Sequence, residues 1–544
     1  MFKINNKEGI ISMPEDPKCV PDNRGFGALC FDKMVEFGER TAQIDALTDE
    51  SLTYKQLLHK CIRVAMAMES MGTQPDDIVM LCTYNSTESY IPILAAQFLG
   101  LRVASLDPTL MLDELQHLIN IVKPRFVFTV PECTSVIVTA LGALNLSSTI
   151  IEFGDSKQYI SFKSLLEPVE GEATFRPKLA EDIFDTAFII FSSGTTGMPK
   201  GICISHYGLL YVAAICVRHF YDFQSALYYT TPYWISFVLF NTMTLMAGGR
   251  KIICRDYDAK TVIQYVQKYK ITFMFLTPTA TYDITANESY FNYDTASLTT
   301  LMVGGSTIAQ NQINKLRKLL PHTNVTQAYG LTELSGLVAG FPRDTSEEIL
   351  RIKSNSCGKI IAGMSCKIVD PDTNEILGLN QRGELMVKSN TQMNGYYNKE
   401  EETRQAVDED GYMYTGDIGY FDDDYYLHIV DRLKSMFKYK SWHIIPAELE
   451  SVLMRHQDVL EAVVIGVPHE EDGDVPMAVI IPKPGSQASE RDIITYFNKQ
   501  VNDRKKLRAG VKFVSHLPKT STGKYNRKSL LKIIMQDDVI SKSV

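Results

Sequence analysis

The stretch that most constrains the fold is Thr186–Gly201. Thr186-Ala-Phe-Ile-Ile-Phe191 is a short, almost wholly apolar run with the length of a buried strand. It enters Ser192-Ser-Gly-Thr-Thr-Gly-Met-Pro-Lys-Gly201, rich in hydroxyls and glycine and carrying one lysine. Gly194 and Gly197 allow tight turns that bring backbone N–H groups close to an anion. Ser192, Ser193, Thr195 and Thr196 supply donors with little bulk, Lys200 a mobile positive charge, and Pro199 stiffness. The pattern predicts a polyphosphate cradle at a strand's end. It is not Walker A, because no G-x-x-x-x-G-K-[ST] occurs in the chain. Taken alone, the same residues also fit a Ser/Gly-rich surface turn.

The flanks decide what kind of sheet that strand joins. Upstream, Asp77–Cys82 reads as a strand, Ser89–Gly100 as a helix ending at glycine, Arg102–Ser105 as a strand, Asp113–Val122 as a helix and Arg125–Thr129 as a strand. Downstream, Gly249–Cys254, Ala259–Tyr269 and Ile271–Leu276 repeat the alternation. Such βαβ order predicts largely parallel sheets with helices on both faces and ligands at the carboxyl ends of strands. From Ser354 to His428 the texture turns β-like, and after the charged Asp431–Ser435 linker a second pattern of strands and helices begins.

Three further stretches offer chemistry at strand ends. Thr300–Val303 runs into Gly304-Gly305-Ser306, where a flat ring could approach backbone. Tyr329-Gly-Leu-Thr332-Glu333 groups an aromatic, a hydroxyl and a carboxylate suited to a purine, a phosphate and Mg²⁺, although a packed tyrosine and a solvated acid fit as well. Asp417, beside Gly416, could accept both hydroxyls of a ribose. Lys434, Lys438, Lys440 and the Lys505–Arg508 run could meet phosphates; a solvated helix face explains the last equally well. Leu517–Lys524 is a polar, glycine-hinged stretch that presents a lysine.

Bulk properties narrow the class. With 544 residues, 45% hydrophobic and 22% charged, the chain has the makings of a multi-unit globular protein. A net charge of −9 argues against broad nucleic-acid binding. Ten scattered cysteines without a C-x-x-C pair predict reduced thiols in an intracellular protein, so the sequon at Asn85 is read as chance. The N-terminal residues show no secretory apolar core, and no run approaches the roughly 18 apolar residues that span a bilayer.

Together, Ser192–Gly201, Tyr329–Glu333, Gly383–Leu385, Tyr414–Asp417, Asp431–Lys434, Lys438–Lys440, Pro446–Glu450 and Thr522–Lys524 resemble, in order and spacing, the adenylate-forming superfamily of acyl-CoA synthetases and beetle luciferases, in its 4-coumarate-CoA ligase-like branch. The resemblance covers nearly the whole chain. It implies an α/β fold: a large N-terminal adenylation domain over 1–430, with two α/β sheet layers and a distorted β-barrel, a hinge at 431–435, and a small mobile α+β lid over 436–544. It implies ATP, Mg²⁺ and CoA as cofactors and co-substrates and a small carboxylic acid as partner, with no nucleic acid. Residue by residue, Ser193, Thr195, Thr196 and Lys200 would form the phosphate loop. Gly305 and Tyr329 would flank adenine, Thr332 would contact the α-phosphate, Glu333 would hold Mg²⁺, and Asp417, with Arg432 nearby, would bind ribose. Lys524 would serve adenylation, and Lys438 the later thiol step after domain rotation.

The chain departs from the family pattern at named positions. Pro232-Tyr-Trp-Ile-Ser-Phe237 lacks the usual acyl-site histidine, Ala328 and Ser441 replace common glycines, and Val212 stands where luciferases usually carry arginine. The chain ends Ser541-Lys-Ser-Val544 instead of Ser-Lys-Leu, so peroxisomal residence is implied by kinship alone, with the cytoplasm as alternative. The reading is therefore a CoA ligase for a fatty or aryl acid. The alternatives are a luciferase-like monooxygenase, an amino-acid-activating enzyme (disfavoured because Tyr233–Phe237 offers no acid for an ammonium), and a catalytically impaired nucleotide-binding homologue.

Overall fold

The structure, a computed structural model, describes residues 4–192, 199–306, 308–440, 442–469, 472–519 and 525–541, without the side chains of 443 and 536–541. It divides into two compact units. The first comprises Met1–Gly305, Gln312–Cys366 and Val387–Met413; the second comprises Ser306–Asn311, Lys367–Met386 and Tyr414–Val544.

The first unit is built on two large sheets. The order of the eight-stranded one is Gly395–Tyr396, Gly201–Ser205, Thr186–Phe191, Arg102–Leu106, Ile78–Cys82, Phe126–Thr129, Thr149–Glu152 and Ile160–Ser161. From Thr186–Phe191 to Ile160–Ser161 every pairing is parallel. The central positions of these strands are apolar because helices pack on them, as in the core of Met80, Ala104, Ile119, Val127, Ile137 and Ile189. Gly201–Ser205 instead returns antiparallel beside Thr186–Phe191, with Gly201 opposite Phe191.

The seven-stranded sheet runs Asn324–Gln327, Thr300–Val303, Phe273–Leu276, Ser225–Tyr228, Arg250–Ile253, Thr41–Asp45 and Ser51–Thr53. Only its last pairing is antiparallel. The helix Ala259–Tyr269 between two of these strands begins where the Asp258 carboxylate accepts from the Lys260 N–H. An N-cap of this kind is worth about 1 kcal/mol. The expected strands and helices thus appear within one or two residues of their predicted ends, and the α/β class holds.

The β-rich part is open. A three-stranded sheet joins Tyr329–Leu331, Gly336–Gly340 and Lys359–Ile360, and among the described residues no sheet order closes on itself into the barrel implied by resemblance.

The second unit holds the antiparallel pair Met413–Phe421 and Leu427–Arg432, together with a five-stranded sheet of Trp442–Ile444, Phe437–Tyr439, Gly473–Pro482, Val459–His469 and Val511–Phe513. Helices Pro446–Leu453 and Glu490–Asn498 bury Leu449, Leu453, Ile493 and Phe497 against that sheet. Among the described residues, no helix is long and apolar enough to cross a membrane.

Candidate active site

Ser193, Thr195 and Thr196 lie outside the described residues; the residues that flank them are tied together by hydrogen bonds. The Ser192 N–H donates to the Lys200 carbonyl at 2.9 Å, and the Lys200 N–H donates to Ser192 Oγ at 3.0 Å. These two bonds continue the antiparallel pairing by one step and hold Ser192 against Lys200. His117 Nε2 lies 3.0 Å from the Pro199 carbonyl, and the Tyr397 N–H donates to the Gly201 carbonyl at 2.7 Å. Neither partner was singled out by sequence, because both come from distant segments.

Lys200 is half-buried and holds its Nζ 4.8 Å from the centroid of the Tyr396 ring. Burial, and then the negative charge of Glu333, push the Tyr396 phenol up to about 12. The structure therefore brings Lys200, Tyr396 and Glu333 into one electrostatic neighbourhood. Tyr396 is the member that sequence reasoning missed: nothing but an exposed-looking Gly-Tyr-Tyr run marks it.

Tyr329 is buried in the strand Tyr329–Leu331, and Thr332 and Glu333 sit half-buried in the 3₁₀ turn that follows. That turn is held from both sides. The Met393 N–H donates to the Glu333 carbonyl at 2.7 Å, and Ser335, at φ 60°, donates its hydroxyl to the Thr391 carbonyl at 2.7 Å. A side chain at Gly330 would put its Cβ 2.3 Å from the Gly336 carbonyl oxygen, so the hairpin that aims Thr332 and Glu333 requires glycine there. Gly305 lies at the carboxyl end of the parallel strand Thr300–Val303, at φ +94° and with open space where a Cβ would stand. Its backbone is accessible to a flat ligand.

The Trp234–Phe240 segment opens the helix Ile235–Met246. Phe237–Phe240 are buried, while Trp234 is half-buried with its indole N–H enclosed and without a hydrogen-bond partner among the described residues. Val212 is fully buried in the helix His206–Ile215, which starts at the Ser205 N-cap.

In the second unit, Asp417 and Arg432 face each other across the antiparallel pair, with Arg432 Nε 2.8 Å from Asp417 Oδ1. Asp417 is buried and Arg432 about half exposed. The Gly416 N–H donates to Glu384 at 3.0 Å, and burial followed by the charge of Asp417 raises the Glu384 carboxyl. Asp431 caps the next helix, its Oδ2 accepting from the Ala447 N–H at 2.9 Å. Lys438, on the strand Phe437–Tyr439, is paired with Asp372 at 3.0 Å, both half exposed. Lys524 and Ser441 lie outside the described residues. Glu384, Asp372 and the capping role of Asp431 have no sequence signal, since each depends on pairing across segments.

A cavity of about 720 Å³ is lined by Glu15, Lys388, Asn390, Gln392 and Tyr412 among others, and none of the described candidate residues lines it.

The family profile described as AMP-binding enzyme matches residues 31–397, and that described as AMP-binding enzyme C-terminal domain matches 448–524. Luciferin 4-monooxygenase of Luciola mingrelica is 33% identical over 503 residues, covering 90% of this chain and 91% of its own. 4-coumarate-CoA ligase 1 of Narcissus pseudonarcissus is 31% identical over 538 residues, covering 97% and 96%. Among solved structures, the luciferase-like enzyme from the nonluminescent Zophobas morio mealworm aligns with a TM-score of 0.73 at 35% identity, over 78% of this chain and 99% of that one. Matched by both profiles and by relatives over most of its length, the chain belongs to the AMP-binding enzyme family, in the adenylate-forming group that contains both CoA ligases and luciferases.

Proposed function

We propose that the chain is an ATP-dependent acid–thiol ligase: it activates a hydrophobic fatty or aryl acid as acyl-AMP, releasing pyrophosphate, and passes the acyl group to CoA, releasing AMP. The observation that carries the reading is the hydrogen-bonded Ser192–Lys200 pair with Lys200 poised over Tyr396, close enough to Glu333 for its charge to be felt there. A polyphosphate needs such a fixed cradle with one cation able to follow the charge.

In this reading the N–H groups and hydroxyls of Ser193, Thr195 and Thr196 bind the outer phosphates and Lys200 neutralises them. Tyr329 and Gly305 take the two faces of adenine, Thr332 donates to the α-phosphate, and Asp417, oriented by Arg432, accepts from the ribose hydroxyls. Lys524 steadies the charge that builds as the carboxylate attacks the α-phosphorus. Lys438 serves the thiol step once the chain turns about Asp431–Ser435, the hinge between an adenylation domain over 1–430 and a lid over 436–544. Glu333 fits as a Mg²⁺ ligand: it is a half-buried carboxylate, a hard oxygen donor of the kind this ion takes, and its charge is felt at Tyr396. When bound, the ion screens the repulsion between carboxylate and polyphosphate. The buried Phe237–Phe240 stretch suits an uncharged acyl tail, and buried Val212 offers no charged donor to a heteroaromatic acid.

The test is incubation of the purified chain with ATP, Mg²⁺ and a panel of short, medium, long and aryl acids, with and without CoA. Acyl-AMP by mass spectrometry, pyrophosphate release and CoA-dependent acyl-CoA are expected, with negligible light from beetle luciferin. Absence of any adenylate would refute the ligase reading; strong luminescence would favour the monooxygenase. Peroxisomal residence belongs to the same proposal and is checked by fractionation of cells that express the full chain.

A further inference from the structure

Asp16, Cys19 and His219 meet at a place that the proposed ligase chemistry does not use. Asp16 and Cys19 lie on the irregular segment that follows the strand Ile10–Ser12; His219 lies on the single π-helical turn Cys216–Phe220. Asp16 and Cys19 are each 3% exposed, and His219 is half-buried. Asp16 Oδ2 stands 2.7 Å from His219 Nε2 and 3.5 Å from Cys19 Sγ, and the three potential donor atoms all lie within 4.8 Å of one another. The other carboxylate oxygen is already fixed, accepting from the Lys18 N–H at 3.0 Å, and the Asp16 N–H donates to the Tyr211 hydroxyl at 2.9 Å. One oxygen is thus pinned and the other aimed at the thiol and the imidazole.

We propose that Asp16, Cys19 and His219 form a divalent-metal site, with Zn²⁺ the best-matched ion. An oxygen, a sulfur and a nitrogen donor are the set this borderline ion takes. Around a tetrahedral Zn²⁺ with bonds of about 2.0–2.3 Å, neighbouring donors stand about 3.3–3.6 Å apart. The Asp16–Cys19 spacing already agrees, and the Asp16–His219 spacing has to widen by less than about 1 Å. Carboxylate and thiolate together cancel the ion's charge, so a site this buried would carry no net charge. Binding sends the Cys19 thiol proton to solvent and leaves His219 neutral, with its ring proton on Nδ1. A water would complete the tetrahedron as fourth ligand.

Arg218 is the competitor. Its Nε lies 3.6 Å from Asp16 Oδ2, and its side chain is about half exposed. It supplies the countercharge that an ion would replace, and it can swing into solvent when displaced. The bound ion would tie the segment around Asp16 to the end of the helix His206–Ile215.

The experiment is a Zn²⁺ titration of the full chain after chelator treatment, by calorimetry in buffers of different ionisation enthalpy, with Co²⁺ as a spectroscopic probe of thiolate ligation. One ion per chain, about one proton released per ion, a Co²⁺–thiolate band and a raised Tm are expected. Cys19→Ser and His219→Gln should each weaken Zn²⁺ binding by more than about tenfold. Arg218→Gln should tighten it, which no loss of folding can mimic. A wild-type chain that binds no ion would overturn the proposal. So would binding left unchanged by all three substitutions.

Discussion

The two units hold their candidate cations in different ways. In the first, Lys200 rests over the Tyr396 ring. In the second, Arg432 is set on Asp417 and Lys438 on Asp372. A cation on an aromatic face gives up about 0.5–1 kcal/mol when it moves toward a ligand and leaves no charge behind. A cation on a carboxylate must exchange one anion for another. The first arrangement suits a group that follows a phosphate, the second a group that waits for a change of partner.

Substitutions can break or sharpen that contrast. The largest effect is expected from Lys524→Ala, about 10²–10³-fold on adenylation, as for loss of one preorganised electrostatic contact. Lys438→Ala should spare adenylation and slow acyl transfer. Single-turnover pyrophosphate release and acyl-CoA formation from supplied acyl-AMP separate the two, and equal damage to both steps by both variants would end the division of labour.

Next comes the buried Lys251, 3% exposed, its Nζ 4.8 Å from the centroid of the Phe237 ring and without a hydrogen-bond partner among the described residues, with burial pulling its amine down to about 7. Between about pH 7 and the unfolded value of 10.5 the unfolded chain binds more protons, so stability rises with pH across that window. Lys251→Met should raise Tm at pH 6–7 and flatten the alkaline rise. An unchanged pH profile in urea unfolding would show that the amine is not dry.

Asp417→Asn removes the anion that fixes Arg432. It should lower kcat/KM for ATP by the worth of a charged hydrogen bond, about 1.5–3 kcal/mol, read in steady-state kinetics with the acid saturating. Little change would place ribose recognition elsewhere. The smallest effect belongs to Asp372→Asn. An exposed pair is worth about 0.2–1 kcal/mol, so stability should hardly move while acyl transfer quickens severalfold at most. A slower transfer would mean that Asp372 guides Lys438 and does not detain it.

The parallel sheets were legible because wholly apolar strands alternate with amphipathic helices, as at Ile78–Cys82, Leu112–Val122 and Phe126–Thr129. The strand that leads into the proposed phosphate loop and the turn at Tyr329–Glu333 were legible as local structure because their residues are contiguous in the chain. His117, Glu384, Tyr396 and Asp372 were not, because each acts on a residue far away in sequence and no local pattern records such a meeting. Lys251 was illegible for another reason: a lysine at the second position of an apolar strand reads as an edge residue, and only the surrounding rings reveal that it is enclosed.

The Asp431 cap carries a mechanical consequence. Its carboxylate holds the first turn of the helix Pro446–Leu453 through the Ala447 N–H, right beside the segment proposed to turn. Rotation that carries the helix away from Asp431 must first release this catch, at the roughly 1 kcal/mol typical of such a cap. A catch of that strength acts as a click-stop: it gives the joint a preferred setting, yet thermal motion can slip it many times within a single turnover.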